Sequence, residues 1–301
     1  MRIPARLVLL IVALTFGPST GGTVEPPGFE LPGATLDFQL AESVDDKNGA
    51  KIERWVRETA SIVTLAYGRF PVPNPRVVVV HSGSSPRGDD SPVPFGRVTR
   101  RGGETVELYV DTERSLADLE YDWTATHEFS HLLLPRISWR QKWISEGFAS
   151  YYQNVLMARA GRYTQADALQ KLEAGLQRGR ASRPELSLNK AALEGVREAR
   201  MKIYWSGAAI ALLADIQLRE RPGDGESLDL VLDRFQRCCL PSQRRGTGVE
   251  LFTKFDSLVD EPVFMPLYRQ YADTAGFPEF EDALQKDLVR DEILAVRTSP
   301  H

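Results

Sequence analysis

Cysteine is the residue that this sequence uses least, with only Cys238 and Cys239 among 301 residues. Neighbouring Cα atoms lie about 3.8 Å apart, below the span of about 4.4 to 6.8 Å that disulfides usually bridge, so we expect two free thiols. No histidine lies near this pair in sequence, which argues against a metal site there. A framework of distant disulfides is excluded, and the chain must be stabilised by its apolar core.

An excess of positive charge is also lacking, because 37 Lys and Arg residues stand against 41 Asp and Glu residues, a formal net charge of −4. A nucleic-acid-binding surface needs a basic footprint, so the composition argues against a nucleic acid partner. With 42% hydrophobic and 26% charged residues, the chain has the composition of a folded, water-soluble protein. Disordered and fibrous classes are excluded.

Long apolar runs are missing beyond the amino terminus. Within residues 1–24, Arg2 and Arg6 precede an apolar run from Leu7 to Phe16, and small residues follow. This order is typical of a secretory signal peptide. The run is about half of the ~20 residues that span a bilayer, so we predict cleavage rather than a retained anchor. We therefore expect export to the periplasm or the extracellular space, with no stable membrane insertion.

The rest of the sequence has two parts that differ in the spacing of their apolar residues. Strand-like segments lie at 34–40, 76–81, 95–99 and 104–111, with a helical segment at 51–67 between the first two. From Leu116 onward the apolar residues have almost entirely helical spacing. We predict an α+β fold in a single domain, residues 25–301, with a β-rich part at about 34–112 and a helical part at about 115–290.

Two of the four histidines lie in one pentapeptide, His127-Glu-Phe-Ser-His131. Four residues turn a helix by about 400°, so the two imidazoles project from one face about 6 Å apart, and Glu128 is rotated by about 100°. This H-E-x-x-H arrangement predicts two zinc ligands and a carboxylate that can accept a proton from a zinc-activated water. The alternative is a helix with two packed or solvated histidines and a surface glutamate.

A catalytic zinc takes three protein ligands, and after His131 the next histidine is His301. The nearest candidate is Glu146, in the segment Lys-Trp-Ile-Ser-Glu-Gly-Phe-Ala-Ser-Tyr-Tyr-Gln at 142–153. A carboxylate among aromatic residues is costly to bury unless it meets a cation. Glu146 is therefore the candidate third ligand of a single zinc ion, and a surface glutamate on an amphipathic helix is the alternative.

These two segments resemble the gluzincin metallopeptidases, in which the third metal ligand is the Glu of a closely similar Glu-Gly-Phe segment. A further segment, Tyr204-Trp-Ser-Gly-Ala-Ala-Ile-Ala-Leu-Leu-Ala-Asp, is most similar to the glycyl aminopeptidase family within that group. The resemblance covers about residues 116–235 and implies a thermolysin-like catalytic core. In those enzymes the tyrosine of the matching segment steadies the oxyanion, which implies this role for Tyr204. Without the resemblance, the pattern predicts that Tyr204 is an aromatic residue on a helix that packs in the protein core.

We thus expect a zinc peptidase in which zinc is bound by His127, His131 and Glu146, and Glu128 and Tyr204 act on a peptide substrate. The strand motif with which related aminopeptidases hold a free amino group is absent, so the residues do not distinguish aminopeptidase from endopeptidase action. The alternative class is a non-catalytic module that retains a peptidase fold and binds peptides or proteins.

Overall fold

The computed structural model describes residues 28–82, 90–194, 197–222, 225–242 and 244–297. The predicted signal peptide at residues 1–24 lies outside these ranges, and so does the carboxy-terminal His301. Among the described residues, none of the helices has the length and apolar character needed to cross a membrane.

A mixed five-stranded sheet forms the amino-terminal part of the described chain, in the order β1-β2-β3-β5-β4. Its strands are β1 Gly28–Leu31, β2 Ala34–Leu40, β3 Arg76–His81, β4 Phe95–Thr99 and β5 Thr105–Val110. The three central strands run parallel, whereas β1 and β4 pair antiparallel at the two edges. Burial alternates along β2, β3 and β5, so one face of the sheet is covered by the helical part.

Helices make up most of the rest of the described chain. They are α1 Asp46–Val63, α2 Leu116–Tyr121, α3 Thr124–Ser130, α4 Lys142–Arg159, α5 Gln165–Ala181, α6 Leu188–Glu194, α7 Arg200–Arg219, α8 Leu228–Cys239, α9 Gly248–Asp256, α10 Phe264–Tyr271 and α11 Glu281–Leu284. Most residues of α4 and α7 are buried. These two helices therefore form the centre of the helical part.

The predicted α+β class is confirmed, and the strands at 34–40, 76–81 and 95–99 have the predicted bounds. The predicted helix at 51–67 begins earlier, at Asp46, because the side chain of Asp45 accepts a hydrogen bond from the Lys47 N–H and caps it. Strand β1 was not predicted, because its sequence lies in a stretch rich in proline and glycine.

The expectation of two free thiols is wrong, because Cys238 and Cys239 form a disulfide at the end of α8. The expectation of free thiols rested on the Cα–Cα distance that is usual for disulfides between residues distant in sequence. A bond between neighbours instead closes a small ring through their shared peptide, here with a Cα separation of 3.7 Å. This bond joins no separate elements, so the apolar core remains what holds the helices together.

The crossing of α4 and α7 is made by two glycines in direct backbone contact. A Cβ atom added to Gly147 would lie 2.2 Å from the Gly207 Cα, and one added to Gly207 would lie 2.0 Å from the carbonyl oxygen of Trp143. Neither position has room for a side chain. Glycine inside a helix costs about 0.5–1 kcal/mol relative to alanine, so the close approach is gained at the expense of helix propensity.

We predict that Gly147→Ala lowers the free energy of unfolding by about 1–3 kcal/mol or more, because the added methyl must push the two helices apart. The matched control is Gly49→Ala on α1, where the new Cβ would meet Leu40 Cδ1 at an ordinary 3.4 Å. This control should be neutral or should stabilise by up to about 1 kcal/mol. Urea unfolding followed by circular dichroism measures both, and equal effects would contradict a crossing limited by side-chain size.

At the other end of α4, the fully buried Arg159 pairs with Asp229 of α8, with Nη2 and Oδ2 2.8 Å apart. The Tyr152 hydroxyl donates to the same carboxylate at 3.0 Å, and Arg297 lies 3.1 Å from it. Burial alone would raise the pKa of Asp229, but Arg159, Arg297 and Arg219 outweigh that effect and lower it. Asp229 is therefore ionised and ties α4 to α8.

We predict that Asp229→Asn lowers the free energy of unfolding by about 3–5 kcal/mol at pH 7, because Arg159 is left buried without its counter-ion. A carboxyl whose pKa is lowered by folding stabilises above its unfolded pKa of about 3.9 and loses this contribution as pH falls through the folded value. The difference in the free energy of unfolding between Asp229→Asn and the wild type should thus decrease below about pH 4. Glu53→Gln, which removes the exposed pair with Arg57, should cost less than about 1 kcal/mol. A constant difference between pH 7 and pH 3 would contradict the assignment.

Candidate functional site

The H-E-x-x-H segment lies on α3, which packs between the sheet and α4, and all residues of this helix are buried. The carboxylate of Asp122, two residues before the helix begins, accepts a hydrogen bond from the Thr124 N–H at 2.7 Å. The α-helical turns end at Ser130, and a 3-10 turn continues from His131 to Leu133. His127 and His131 nevertheless share one face, with ring centroids 4.8 Å apart and ring planes nearly perpendicular.

Glu146, on the first turns of α4, faces both histidines. Its Oε2 atom lies 3.5 Å from His127 Nε2 and 3.5 Å from His131 Nε2. Ligands held at about 2.0–2.1 Å around a tetrahedral zinc are separated by about 3.4 Å, so the distance from the carboxylate to each imidazole is that between two ligands of one ion. The structure thus brings together the three residues that the sequence predicted as metal ligands, and two imidazole nitrogens with one carboxylate oxygen are a donor set suited to a divalent metal such as zinc.

The second nitrogen of each histidine has a partner on α4. His127 Nδ1 lies 2.7 Å from Gln153 Oε1, and His131 Nδ1 lies 3.0 Å from Ser145 Oγ. Such an oxygen can hold a proton on Nδ1, so Nε2 is the nitrogen of each ring that faces Glu146 and is available to a metal. The two partners are thus a side-chain amide and a side-chain hydroxyl. Ser145 directly precedes Glu146, and Gln153 lies two helical turns after it, on the same face.

Glu128 lies at the side of the histidine pair and faces the edge strand β4. Ligand atoms of His127, Glu128 and His131 lie within 4.8 Å of one another, so Glu128 is also close enough to reach a metal. The symmetric 3.5 Å contacts of Glu146 make Glu146 the better third ligand. The backbone of β4 passes directly over Glu128, because a Cβ atom on Gly96 would lie 2.4 Å from Glu128 Cγ. Nothing in the sequence pattern indicated this contact.

The two carboxyl groups have opposite electrostatic environments. Burial raises the pKa of Glu128, and the neighbouring histidines offset this only in part. Burial also raises the pKa of Glu146, but His131 and His127 outweigh it and lower the pKa well below its usual range. Glu146 is thus the anion of the site, whereas Glu128 is the group more ready to take up a proton.

Tyr204, one turn into α7, stacks on His127 with ring centroids 5.8 Å apart and planes 8° apart. Burial raises the pKa of its phenol, and the charge of Glu146 and a hydrogen bond to that carboxylate raise it further. The hydroxyl is therefore protonated over the ordinary pH range and can donate a hydrogen bond. The structure brings Tyr204 into the site rather than leaving it as a helix aromatic remote from the histidines.

His127, Glu128 and Tyr204 open into a cavity of about 800 Å³, which we term the site cavity. Its walls are formed by residues of β4, α3, α4, α5 and α7. Phe95 and Trp123 line its mouth and are 44% and 43% exposed. The volume is that of a pocket able to enclose a few residues of a peptide, and aromatic residues at its mouth favour apolar side chains.

Residues 135–210, about a quarter of the chain, match the sequence model of the M61 glycyl aminopeptidase family. This segment contains Glu146 and Tyr204 and begins after His131. No curated protein sequence matches the chain.

The fold is similar to that of a solved aminopeptidase N family protein from Idiomarina loihiensis, with a TM-score of 0.64 and 13% sequence identity. The similarity covers 86% of this chain and 48% of that protein, so the chain spans about half the length of its structural relative. At this level of identity, the similarity is one of fold.

Proposed function

We propose that this protein is an exported zinc peptidase. The observation that carries the proposal is the placement of Glu146 Oε2 at 3.5 Å from the Nε2 atoms of both His127 and His131. Two imidazoles and one carboxylate, with the fourth direction left for water or substrate, are the ligand set of many catalytic zinc sites. Export rests on the signal-like residues 1–24 alone, and a peptide substrate rests on the family and fold similarities.

Zinc bound by these three residues would lower the pKa of a water molecule toward ~7 and polarise the scissile carbonyl. Glu128, with its raised pKa, is suited to accept a proton from the attacking water and to deliver it to the leaving amine. The phenol of Tyr204 can donate a hydrogen bond to the oxyanion as it forms. Gln153 and Ser145 hold the two imidazoles in the tautomer that ligates metal.

The two carboxylates of the site give opposite predictions. Glu146→Gln removes the anionic ligand and should abolish stoichiometric zinc binding at chelator concentrations that the wild type survives. Glu128→Gln should retain one zinc per chain and lose hydrolysis of a peptide pool by about 100-fold or more, because the general base is gone. Zinc content is measured on purified protein and turnover by mass spectrometry of the pool.

The reverse pattern, with zinc lost in Glu128→Gln and retained in Glu146→Gln, would exchange the roles of the two acids. Zinc binding by a wild type that cleaves no peptide would instead favour the non-catalytic binding module, which retains the fold and the ligands without turnover.

We also predict that Tyr204→Phe lowers kcat and kcat/KM together by about 10- to 1000-fold, with KM and zinc content little changed, because the phenol acts mainly in the transition state. The matched control is Tyr271→Phe on α10, whose hydroxyl accepts a hydrogen bond from Gln270 and is not part of the site cavity lining. This control should retain wild-type kinetics. Full activity in Tyr204→Phe would return Tyr204 to a packing role against His127.

A further inference from the structure

One wall of the site cavity carries three cations. On α5, Lys171 and Arg178 line the cavity on either side of Ala174. Residues at these spacings share one helix face, and two turns separate the two cations by about 10 Å. Arg200, the first residue of α7, lines the same cavity. We term Lys171, Arg178 and Arg200 the cationic wall.

None of these three side chains has an acidic partner within 4 Å among the described residues. Lys171 Nζ lies over the ring of Tyr163, 4.8 Å from its centroid, and the Arg178 guanidinium lies over Trp205 at 5.6 Å. Such contacts hold a cation in place and leave its hydrogen-bond donors free. Asp167, one turn before Lys171, is bonded to Thr164 instead.

Other arginines on and near α5 are paired. Arg162 forms ion pairs with Glu58 and Glu120, and Arg180 pairs with Glu281. This part of the surface thus offers acids that pair with neighbouring arginines, whereas the three described cations that line the cavity have no such partner.

Negative charge in the cavity is limited to the catalytic end. Of the described residues that line it, Glu128 alone is acidic, and it lies beside His127. A cavity with three cations on one wall and a single acid at its inner end presents a positive potential to a ligand. Carboxylate groups are the anions that peptides carry, and arginine binds them through two parallel hydrogen bonds.

Arg200, one member of the cationic wall, has a fixed position relative to Tyr204. The two residues are one helical turn apart on the same face of α7, about 6 Å along the helix. An extended peptide advances about 3.3 Å per residue, so Arg200 lies about two residues from the bond that Tyr204 would act on. A carboxylate in this position is either an acidic side chain or the free carboxy terminus of the substrate.

We propose that the cationic wall binds a substrate carboxylate, so that the protein prefers peptides with an acidic side chain or a free carboxy terminus within about two residues of the cleaved bond. This inference rests on the proposed peptidase function and adds its substrate class. The aromatic mouth formed by Phe95 and Trp123 would receive the neighbouring apolar side chain.

The test uses the zinc-loaded full chain and four peptides built on one parent sequence. The first has Gln near the cleaved bond and an amidated carboxy terminus, the second has Glu for Gln, the third has a free carboxy terminus, and the fourth has both changes. We expect kcat/KM for at least one charged peptide to exceed that for the neutral one by about 10-fold or more. A gain from Glu alone identifies a side-chain carboxylate, and a gain from the free terminus alone identifies the terminal one.

In the variant that combines Lys171→Gln, Arg178→Gln and Arg200→Gln, this charged-over-neutral ratio should fall toward 1, whereas Arg178→Lys alone should retain most of it. The control is Arg54→Gln on α1, whose exposed guanidinium pairs with Glu58 outside the cavity and whose loss should leave the ratio unchanged. Thermal unfolding checks that the triple variant is folded, and the single variants replace it if it is not.

A second measurement separates this inference from the proposed function. Calorimetric binding of the four peptides to zinc-loaded Glu128→Gln protein requires no turnover. The charged peptide that the wild type prefers should have an affinity higher than that of the neutral peptide by about 10-fold or more. Equal kcat/KM and equal affinity for all four peptides in the wild type would overturn the cationic wall while leaving a peptidase intact. Selective binding of the charged peptides without cleavage of any peptide would overturn the peptidase and retain the wall.

Discussion

The backbone contact between Gly147 and Gly207 is the constraint on which the candidate site depends. Glu146 directly precedes one glycine on α4, and Tyr204 lies one turn before the other on α7. Because the two helices touch without side chains between them, the Glu146 carboxylate lies near the Tyr204 phenol, whose pKa is raised by burial and by the charge of that carboxylate. A wider crossing would separate the third ligand from the group proposed to act on the oxyanion. The crossing therefore fixes the distance between Glu146, the proposed metal ligand, and Tyr204, the residue proposed to stabilise the oxyanion.

A second constraint is that the surroundings of Glu146 and Glu128 drive the pKa values of these two carboxyl groups apart. Glu146 and Glu128 are both largely buried within one small site, yet only Glu146 has both imidazoles at 3.5 Å. The two histidines hold its pKa low, whereas burial dominates for Glu128 and raises its pKa. Two carboxyl groups whose pKa values are driven apart are suited to different roles, one as ligand and one as proton carrier. Gly96 contributes by leaving the strand β4 close enough to exclude solvent from Glu128.

The sequence predicted the parts of this site that depend on spacing within one helix. His127, Glu128 and His131 follow from a four-residue period, and Glu146 from a carboxylate set among aromatic residues. The partners Gln153 and Gly96 were not predicted, because they come from other elements and their residue types carry no signal of the contact. The α+β class and four of the five strands were also predicted, but the order β1-β2-β3-β5-β4 was not. Strand order depends on how crossovers pack on the sheet, which local patterns do not record.

The proposed cationic wall and the proposed catalytic groups are connected through adjacent residues of α7. Tyr204 faces His127, and Trp205 turns toward α5, where it fills the space left by two glycines. A Cβ atom on Gly175 would lie 2.2 Å from the Trp205 ring, and one on Gly179 would lie 2.5 Å from Trp205 Cβ. The same ring lies beneath the guanidinium of Arg178. Tyr204 carries the phenol, and the adjacent Trp205 supports Arg178. Helix α5 therefore cannot move relative to the proposed metal ligands without disturbing this packing. A substrate carboxylate bound at this wall would therefore be held at a defined distance from the reacting carbonyl, which is the geometric requirement for converting binding energy into positioning of the scissile bond.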